Sequence, residues 1–322
     1  MLSDSDNTKV TSMAYACRGA EYESKGDYDQ AIAYYTKAIS LDPNSAITYA
    51  CRGNAYKSKG NYDQAITDYS KAISLDPNNK DAYNNRGLVY HKKGNYDQAI
   101  ADYSKVISLD PNNINAYNYR GIAYNKKGNC DQAIADYTKA ISLEPNSSGT
   151  YFNRGIAYNK KGNYDQVIAD YTKAISLDPN NKDAYNNRGV AYDNKGEYDQ
   201  AIADYTKVIS LDPNFSRTYF NRGTVYSKKG NYDQAIADYT KAISLDPNFS
   251  GTYYNRGIVY NKKGNYDQAI ADYTKAIILD PNSKDAYINR GNIWATKGLC
   301  RYCGGSLGGI FTKKCKSCGK GN

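Results

Sequence analysis

The chain of 322 residues has one histidine, one tryptophan and two methionines. A single imidazole, His91, cannot build a catalytic triad with a second histidine or a histidine-rich metal site, and it is read as an exposed side chain. No stretch approaches the roughly 18 apolar residues that a spanning helix needs. Residues 1–11 are polar and lack the apolar run of a secretory leader, so they are expected to form a disordered tail. The reading is a protein with no membrane span and a cytoplasmic location. No phosphate loop, nucleophile–base pair or small-molecule site emerges, so an enzyme is not expected. Acidic residues are missing from 286 to 322, where Arg290, Lys297, Arg301, Lys313, Lys314, Lys316 and Lys320 lie. These seven charges leave only +2 of the formal +9 for the rest. The basic character belongs to the tail.

Proline is also scarce, and its placement is the first positive signal. The eight prolines are Pro43, Pro77, Pro111, Pro145, Pro179, Pro213, Pro247 and Pro281. Each lies 34 residues after the one before. Arg-Gly recurs at the same step from Arg18-Gly19 to Arg290-Gly291. Of 36 tyrosines, 32 occupy four fixed places in this period. Such a period means stacked units, each burying a thin layer against its neighbours, rather than one globular core.

The second unit, Ala46 to Asn79, can be numbered 1 to 34. Tyr49, Gly53 and Tyr56 at positions 4, 8 and 11 share one face of a helix, called A. Tyr62, Ala65, Ile66, Tyr69, Ala72, Ile73 and Leu75 repeat at helical spacing in a second helix, B. Between them Gly60 can take the left-handed conformation that ends a helix. Asn61 is a candidate cap for helix B, with Gln64 completing a capping box. Asp76-Pro77 closes helix B, because a residue before proline is pushed out of the helical region. Position 7 is arginine in every unit. A buried guanidinium needs a partner, and the aspartate at position 23 (Asp68, Asp102, Asp136, Asp170, Asp204, Asp238, Asp272) is the candidate.

The residues Tyr49, Gly53, Tyr56, Ala65, Tyr69, Ala72 and Pro77 resemble the signature of the tetratricopeptide repeat (TPR) family. The resemblance covers 12–298, as eight full units and a final helix A. It implies an all-α fold, a right-handed α-solenoid or superhelix of helix-turn-helix repeats, with A helices lining the concave side. It also implies a scaffold or adaptor for protein–protein interaction. The arginine at position 7 departs from the family, which often has leucine there.

Positions 2, 6, 9 and 13 form a stripe opposite the 4/8/11 face. Position 6 is mostly asparagine: Asn85, Asn153, Asn187, Asn221, Asn255 and Asn289. Position 9 includes Ile122 and Ile156, and position 5 adds Phe152, Phe220 and Tyr254. Position 13 supplies Lys92, Lys126, Lys160, Lys228 and Lys262. Amides can bond the backbone of an extended peptide, apolar neighbours add affinity, and lysines favour acidic residues. The expected partner is therefore an extended, acidic segment of another protein. The amide column is similar to the asparagine ladder of O-linked N-acetylglucosamine transferases, a likeness confined to the array.

The period ends at Gly298. Cys300 and Cys303 form one Cys-x-x-Cys pair, and Cys315 and Cys318 another. Four thiolates with no open position suit structural Zn2+ in a small zinc ribbon over 299–322. Gly304 and Gly319 would allow the tight turns. The module either caps the last helix or meets a protein. The alternative reading is an adaptor whose Arg301, Lys313, Lys314, Lys316 and Lys320, with Tyr302 and Phe311, meet nucleic acid. Cys17, Cys51 and Cys130 replace asparagine or tyrosine at repeat positions.

Overall fold

The computed structural model describes residues 4–306, 315–318 and 320, with side chains from residue 7. Every regular element among them is an α-helix, and together they form an all-α solenoid of helical hairpins. The chain divides into two compact units, Met1–Asn163 and Tyr164–Asn322. The first holds α1 (Asp4–Ser24), α2 (Tyr28–Leu41), α3 (Ala46–Lys59), α4 (Tyr62–Leu75), α5 (Lys80–Lys92), α6 (Tyr96–Leu109), α7 (Ile114–Lys127), α8 (Cys130–Leu143) and α9 (Ser148–Lys160). The second holds α10 (Tyr164–Leu177), α11 (Lys182–Lys195), α12 (Tyr198–Leu211), α13 (Ser216–Lys229), α14 (Tyr232–Leu245), α15 (Ser250–Lys262), α16 (Tyr266–Leu279) and α17 (Lys284–Thr296). Odd-numbered helices are A helices and even-numbered ones are B helices. The segment expected to be a disordered tail is helical from Asp4, because a helix already nucleated extends at little cost.

Two glycines show why a hairpin closes. Gly60 has φ +82°, and its N–H bonds the Lys57 carbonyl while Asn61 N–H bonds the Tyr56 carbonyl. This left-handed stop turns the chain back on itself. A Cβ on Gly53 would lie 2.8 Å from the Tyr69 ring, so only glycine admits that ring. The ring is fully buried, like its seven equivalents from Tyr35 to Tyr273.

The caps differ from expectation. Asn61 makes no side-chain cap bond, and main-chain bonds close that turn. Capping asparagines serve the A helices instead: Asn79 Oδ1 accepts from Ala82 N–H at 2.9 Å, as Asn181 does from Ala184. The packing face is also wider than expected. Positions 3 and 10 of helix A are buried along with the glycine at position 8, as in Ala82, Gly87 and Val89, and Ala82 and Val89 pack on Ala65, Tyr69 and Ala72 of the preceding hairpin. The tyrosines at positions 4 and 11, Tyr49 and Tyr56, are half-buried. Helix A is sandwiched between its own helix B and the previous one, so two of its faces are used.

The arginine at position 7 is clasped by aspartate. In the first unit, Arg52 donates through Nε and Nη2 to both Asp68 oxygens at 2.8 Å. Its Nη1 reaches Thr36 of the preceding hairpin at 3.0 Å. Arg86 and Arg120 repeat this bidentate pairing in unit one, as do Arg188, Arg222 and Arg256 in unit two. The guanidinium lies between two tyrosine rings, 5.7 Å from Tyr49 and 5.9 Å from Tyr56 for Arg52. An exposed ladder joins hairpins at the opposite end of helix A, with Lys59 on Asp29, Lys93 on Asp63 and Lys229 on Asp199. Being exposed, such pairs add little stability.

Candidate peptide-binding wall and cysteine cluster

The six asparagines at position 6 are all half-buried, at the seams between successive A helices. Five of the six have a polar partner. Asn85 Oδ1 accepts from Lys57 Nζ at 2.8 Å. Asn221 Nδ2 lies 3.5 Å from Asn186 Oδ1, and Asn289 Nδ2 donates to the Tyr254 hydroxyl at 3.2 Å. Asn187 bonds the Tyr171 phenol and Asn255 the Tyr239 phenol. Burial raises Tyr239 to about 12, although the Thr224 hydroxyl and the Asn255 amide pull it down. Asn153 is half-buried on α9.

The lysines at position 13 reach backward along the array. Lys228 pairs with Asp193 at 2.7 Å, and Lys160 donates to the Asn125 carbonyl. Lys92 and Lys262 lie over the rings of Tyr62 and Tyr232. Lys126 is exposed. Ile122 packs onto the Ala133–Tyr137 cluster, so it is largely core. Ile156 and Phe152 are half-buried. The sequence position of Ile122 pointed to the wall, but its apolar surface is shared with the hairpin interior. His91 is half-buried rather than exposed; its ring packs edge-on to Tyr96, and burial lowers its pKa.

In the second unit the wall carries two hollows. One, of about 450 Å³, lies between α11 and α13, with Asn187, Val190 and Asp193 on one side, Phe220 and Asn221 on the other, and Tyr205 at its base. These are positions 6, 9, 12, 5 and 6. The second, of about 140 Å³, is more apolar and is formed by Phe220, Phe249, Ala242, Thr252, Arg217 and Asp246. Phe220 and Arg217 border both. The Phe220 ring meets Phe249 edge to face at 5.3 Å. Tyr254 has a tilted contact with Tyr273 at 5.9 Å.

Phe249 and Arg217 were missed in the sequence reading, although a signal existed. Phe249 and Phe215 occupy position 34, where the other units carry asparagine or serine. Neither can cap, and helices α13 and α15 have no side-chain cap bond. Losing such a cap costs about 1 kcal/mol. Phe249 nonetheless stays 48% exposed, so its ring does not recover that cost by burial. Arg217 is exposed and makes no ion pair among the described residues.

After α17 the chain folds into a knuckle. Gly304, with φ +69°, donates to the Cys300 carbonyl at 2.7 Å, and Cys300 N–H returns to Gly305. Leu299 and Ser306 form an isolated antiparallel bridge, not a strand. The four sulfurs of Cys300, Cys303, Cys315 and Cys318 lie within 4.8 Å of one another. Cys300–Cys318 is 3.6 Å and Cys303–Cys315 is 3.3 Å. A tetrahedral site with metal–sulfur bonds of about 2.3 Å has edges of about 3.8 Å, so the donor set fits a metal ion. Burial opposes the Cys315 thiolate, but bonds from Cys318 and Ser317 N–H and the Cys303 side chain bring its pKa to about 6. Gly319, Phe311, Lys313 and Lys314 lie outside the described residues.

A solenoid of 34-residue helical hairpins defines a repeat scaffold. The family model "Tetratricopeptide repeat" matches 12–45, 81–113, 149–181, 183–215, 216–249 and 251–283, and a related one, "TPR repeat", matches 53–94 and 123–162. The chain belongs to the tetratricopeptide repeat family, whose members generally mediate protein–protein interactions. No curated protein matches it. Among solved structures it is similar to the C-terminal part of a TPR repeat-containing protein from Cytophaga hutchinsonii (23% identity, TM-score 0.65, 74% of this chain and 97% of that one). It is also similar to the MamA protein (33%, 0.51, 52% and 92%). A third is YrrB, described as a TPR protein with an unusual peptide-binding site (26%, 0.52, 61% and 97%). No helix among the described residues is long and apolar enough to cross a membrane.

Proposed function

We propose that the second unit holds an extended segment of a partner protein along the wall formed by α11, α13 and α15. The observation that carries this reading is the pair of hollows meeting at Phe220. The smaller takes an apolar side chain between Phe220 and Phe249, and Arg217 at the shared rim meets a carboxylate. The half-buried amides Asn187 and Asn221 border the larger hollow and present their remaining capacity to the peptide backbone. YrrB, similar in fold and with a peptide-binding site of its own, agrees with this use of the scaffold. Acidic preference rests on Arg217 more than on the position 13 lysines, because Lys228 is already paired.

The test is selection of random peptides on the full chain. Enriched peptides should combine an aromatic or aliphatic residue with a nearby Asp or Glu. Their affinity should fall at least about tenfold on Phe249→Asn, a change that restores a capping residue. Peptides that bind Phe249→Asn and Phe220→Ala as tightly as the parent would refute the reading.

The cysteine cluster is proposed to hold structural Zn2+. Four thiolates leave no coordination position for a substrate, and so short a segment needs a metal to fold.

A further inference from the structure

Among the described residues the last hairpin is incomplete: α17 is an A helix, and the cysteine knuckle follows it with no B helix. In the complete hairpins the glycine at position 8 faces the tyrosine of helix B. At Gly291 the Arg301 carbonyl takes that place, 2.6 Å from where a Cβ would be. Trp294 at position 11 is covered by Gly304. The described residues of the knuckle thus cover positions 8 and 11 and leave positions 4, 5 and 7 open. Tyr287 is 46% exposed, whereas its equivalents Tyr219 and Tyr253 are 9% exposed. Ile288 beside it is 57% exposed.

Arg290 stands at the centre of this open half. Its Nη1 donates to Thr274 at 3.0 Å, as the other arginines do to the preceding hairpin. It stacks on Trp294 at 4.5 Å. Its Nε is buried and has no hydrogen-bond partner among the described residues. In Arg188, Arg222 and Arg256 that same atom bonds an aspartate of helix B. Burial lowers the pKa of Arg290, whereas each of those three is raised. A hollow of about 280 Å³ opens over Arg290 between Tyr287 and Ile288 on one side and Tyr302 on the other, and none of its lining residues is acidic.

We propose that this end is a docking socket for a helix of a partner protein bearing a central carboxylate, which takes the place of the missing B helix. Charge complementarity selects the occupant. A desolvated guanidinium with an orphaned donor is costly, and a bidentate carboxylate relieves that cost. The apolar rim of Tyr287 and Ile288 suits the small and aliphatic residues that flank such an aspartate in this chain's own B helices. In the preceding hairpin Ala276 and Ile277 pack on Tyr253, the equivalent of Tyr287. This proposal is independent of the peptide wall on α11, α13 and α15.

The probe is a stapled helical peptide with the sequence of residues 232–245, which contains Asp238. Trp294, the single tryptophan, reports binding by its fluorescence. The zinc-loaded full chain should show a saturable emission change. Affinity should fall at least about tenfold when the peptide carries Asp238→Asn, and likewise in the chain variant Arg290→Gln. Because Arg290→Gln could disturb the knuckle, the surface variant Ile288→Glu provides a second arm and should weaken binding by charge repulsion while leaving circular dichroism unchanged. No emission change up to millimolar peptide, or equal affinity for the Asp and Asn peptides, would overturn the proposal. So would sedimentation showing a dimer that Arg290→Gln abolishes, because the socket would then belong to a second copy of this chain.

Discussion

Removal of the Asp204 carboxylate should open the sixth hairpin locally. Arg188 donates to Asp204 through Nε at 2.8 Å and Nη2 at 2.7 Å. The two side chains are 15% and 6% exposed. A fully exposed pair would contribute at most about 1 kcal/mol, whereas breaking a buried pair costs about 3–5 kcal/mol. Arg188 keeps its bond to Thr172 and a wet edge, so the cost of Asp204→Leu should be about 2–3 kcal/mol. Arg188→Met with Asp204→Leu should recover much of that, since no lone buried charge remains. Urea unfolding of the four members of the cycle gives the coupling. Amide exchange should place the loss in α11, α12 and their neighbours, because each repeat touches only adjacent ones. A cost below about 0.5 kcal/mol, or a double variant no more stable than Asp204→Leu alone, would refute the claim that desolvated charge governs this position.

Other expectations concern the tail, the tyrosines and the cap. Removing zinc with a chelator should free four thiols and disorder the knuckle while leaving most of the helical circular dichroism; loss of the whole signal would show that the knuckle supports the array. Cobalt substitution should give the absorption of a tetrahedral four-thiolate site. The eight buried tyrosines should ionise late and cooperatively. Burial raises Tyr239 to about 12 and its equivalents also rise above the ordinary value of about 10. The fold favours the neutral phenol, so this contribution is whole below about pH 10 and is lost as pH rises through the folded values. Phenolate absorbance and circular dichroism should therefore change together above pH 10, and phenolate appearing with helicity intact would contradict this. Phe249→Asn should leave stability unchanged or raise it by about 1 kcal/mol, as thermal melting can show, because the new cap offsets a half-exposed ring.

Much of the hairpin was legible in the sequence. The step of 34 fixed the unit, Gly60 the turn, Pro77 the end of helix B, and Asp68 the partner of Arg52. Each of these is local or lies within one unit, where spacing alone carries the information. What spacing could not show was packing between units. Ala82 and Val89 are buried because a preceding helix B reaches them, and that neighbour lies outside the unit being read. The same contacts draw Asn85, Asn221 and Asn289 into seams and engage Lys228 with Asp193. Arg217 and Phe249 stayed hidden for a different reason. Arg217 stands at position 2, which has no consensus, and Phe249 shares its departure at position 34 only with Phe215; what joins the two residues is the hollow they both line with Phe220.

The most direct test of the peptide-binding account is photo-crosslinking. A selected peptide carrying a photoreactive side chain would be bound to the full chain, irradiated and mapped by mass spectrometry. The account predicts adducts on α11, α13 and the start of α15, centred on Phe220 and lost in Phe249→Asn. Adducts confined to the B helices or to the cysteine knuckle would contradict it.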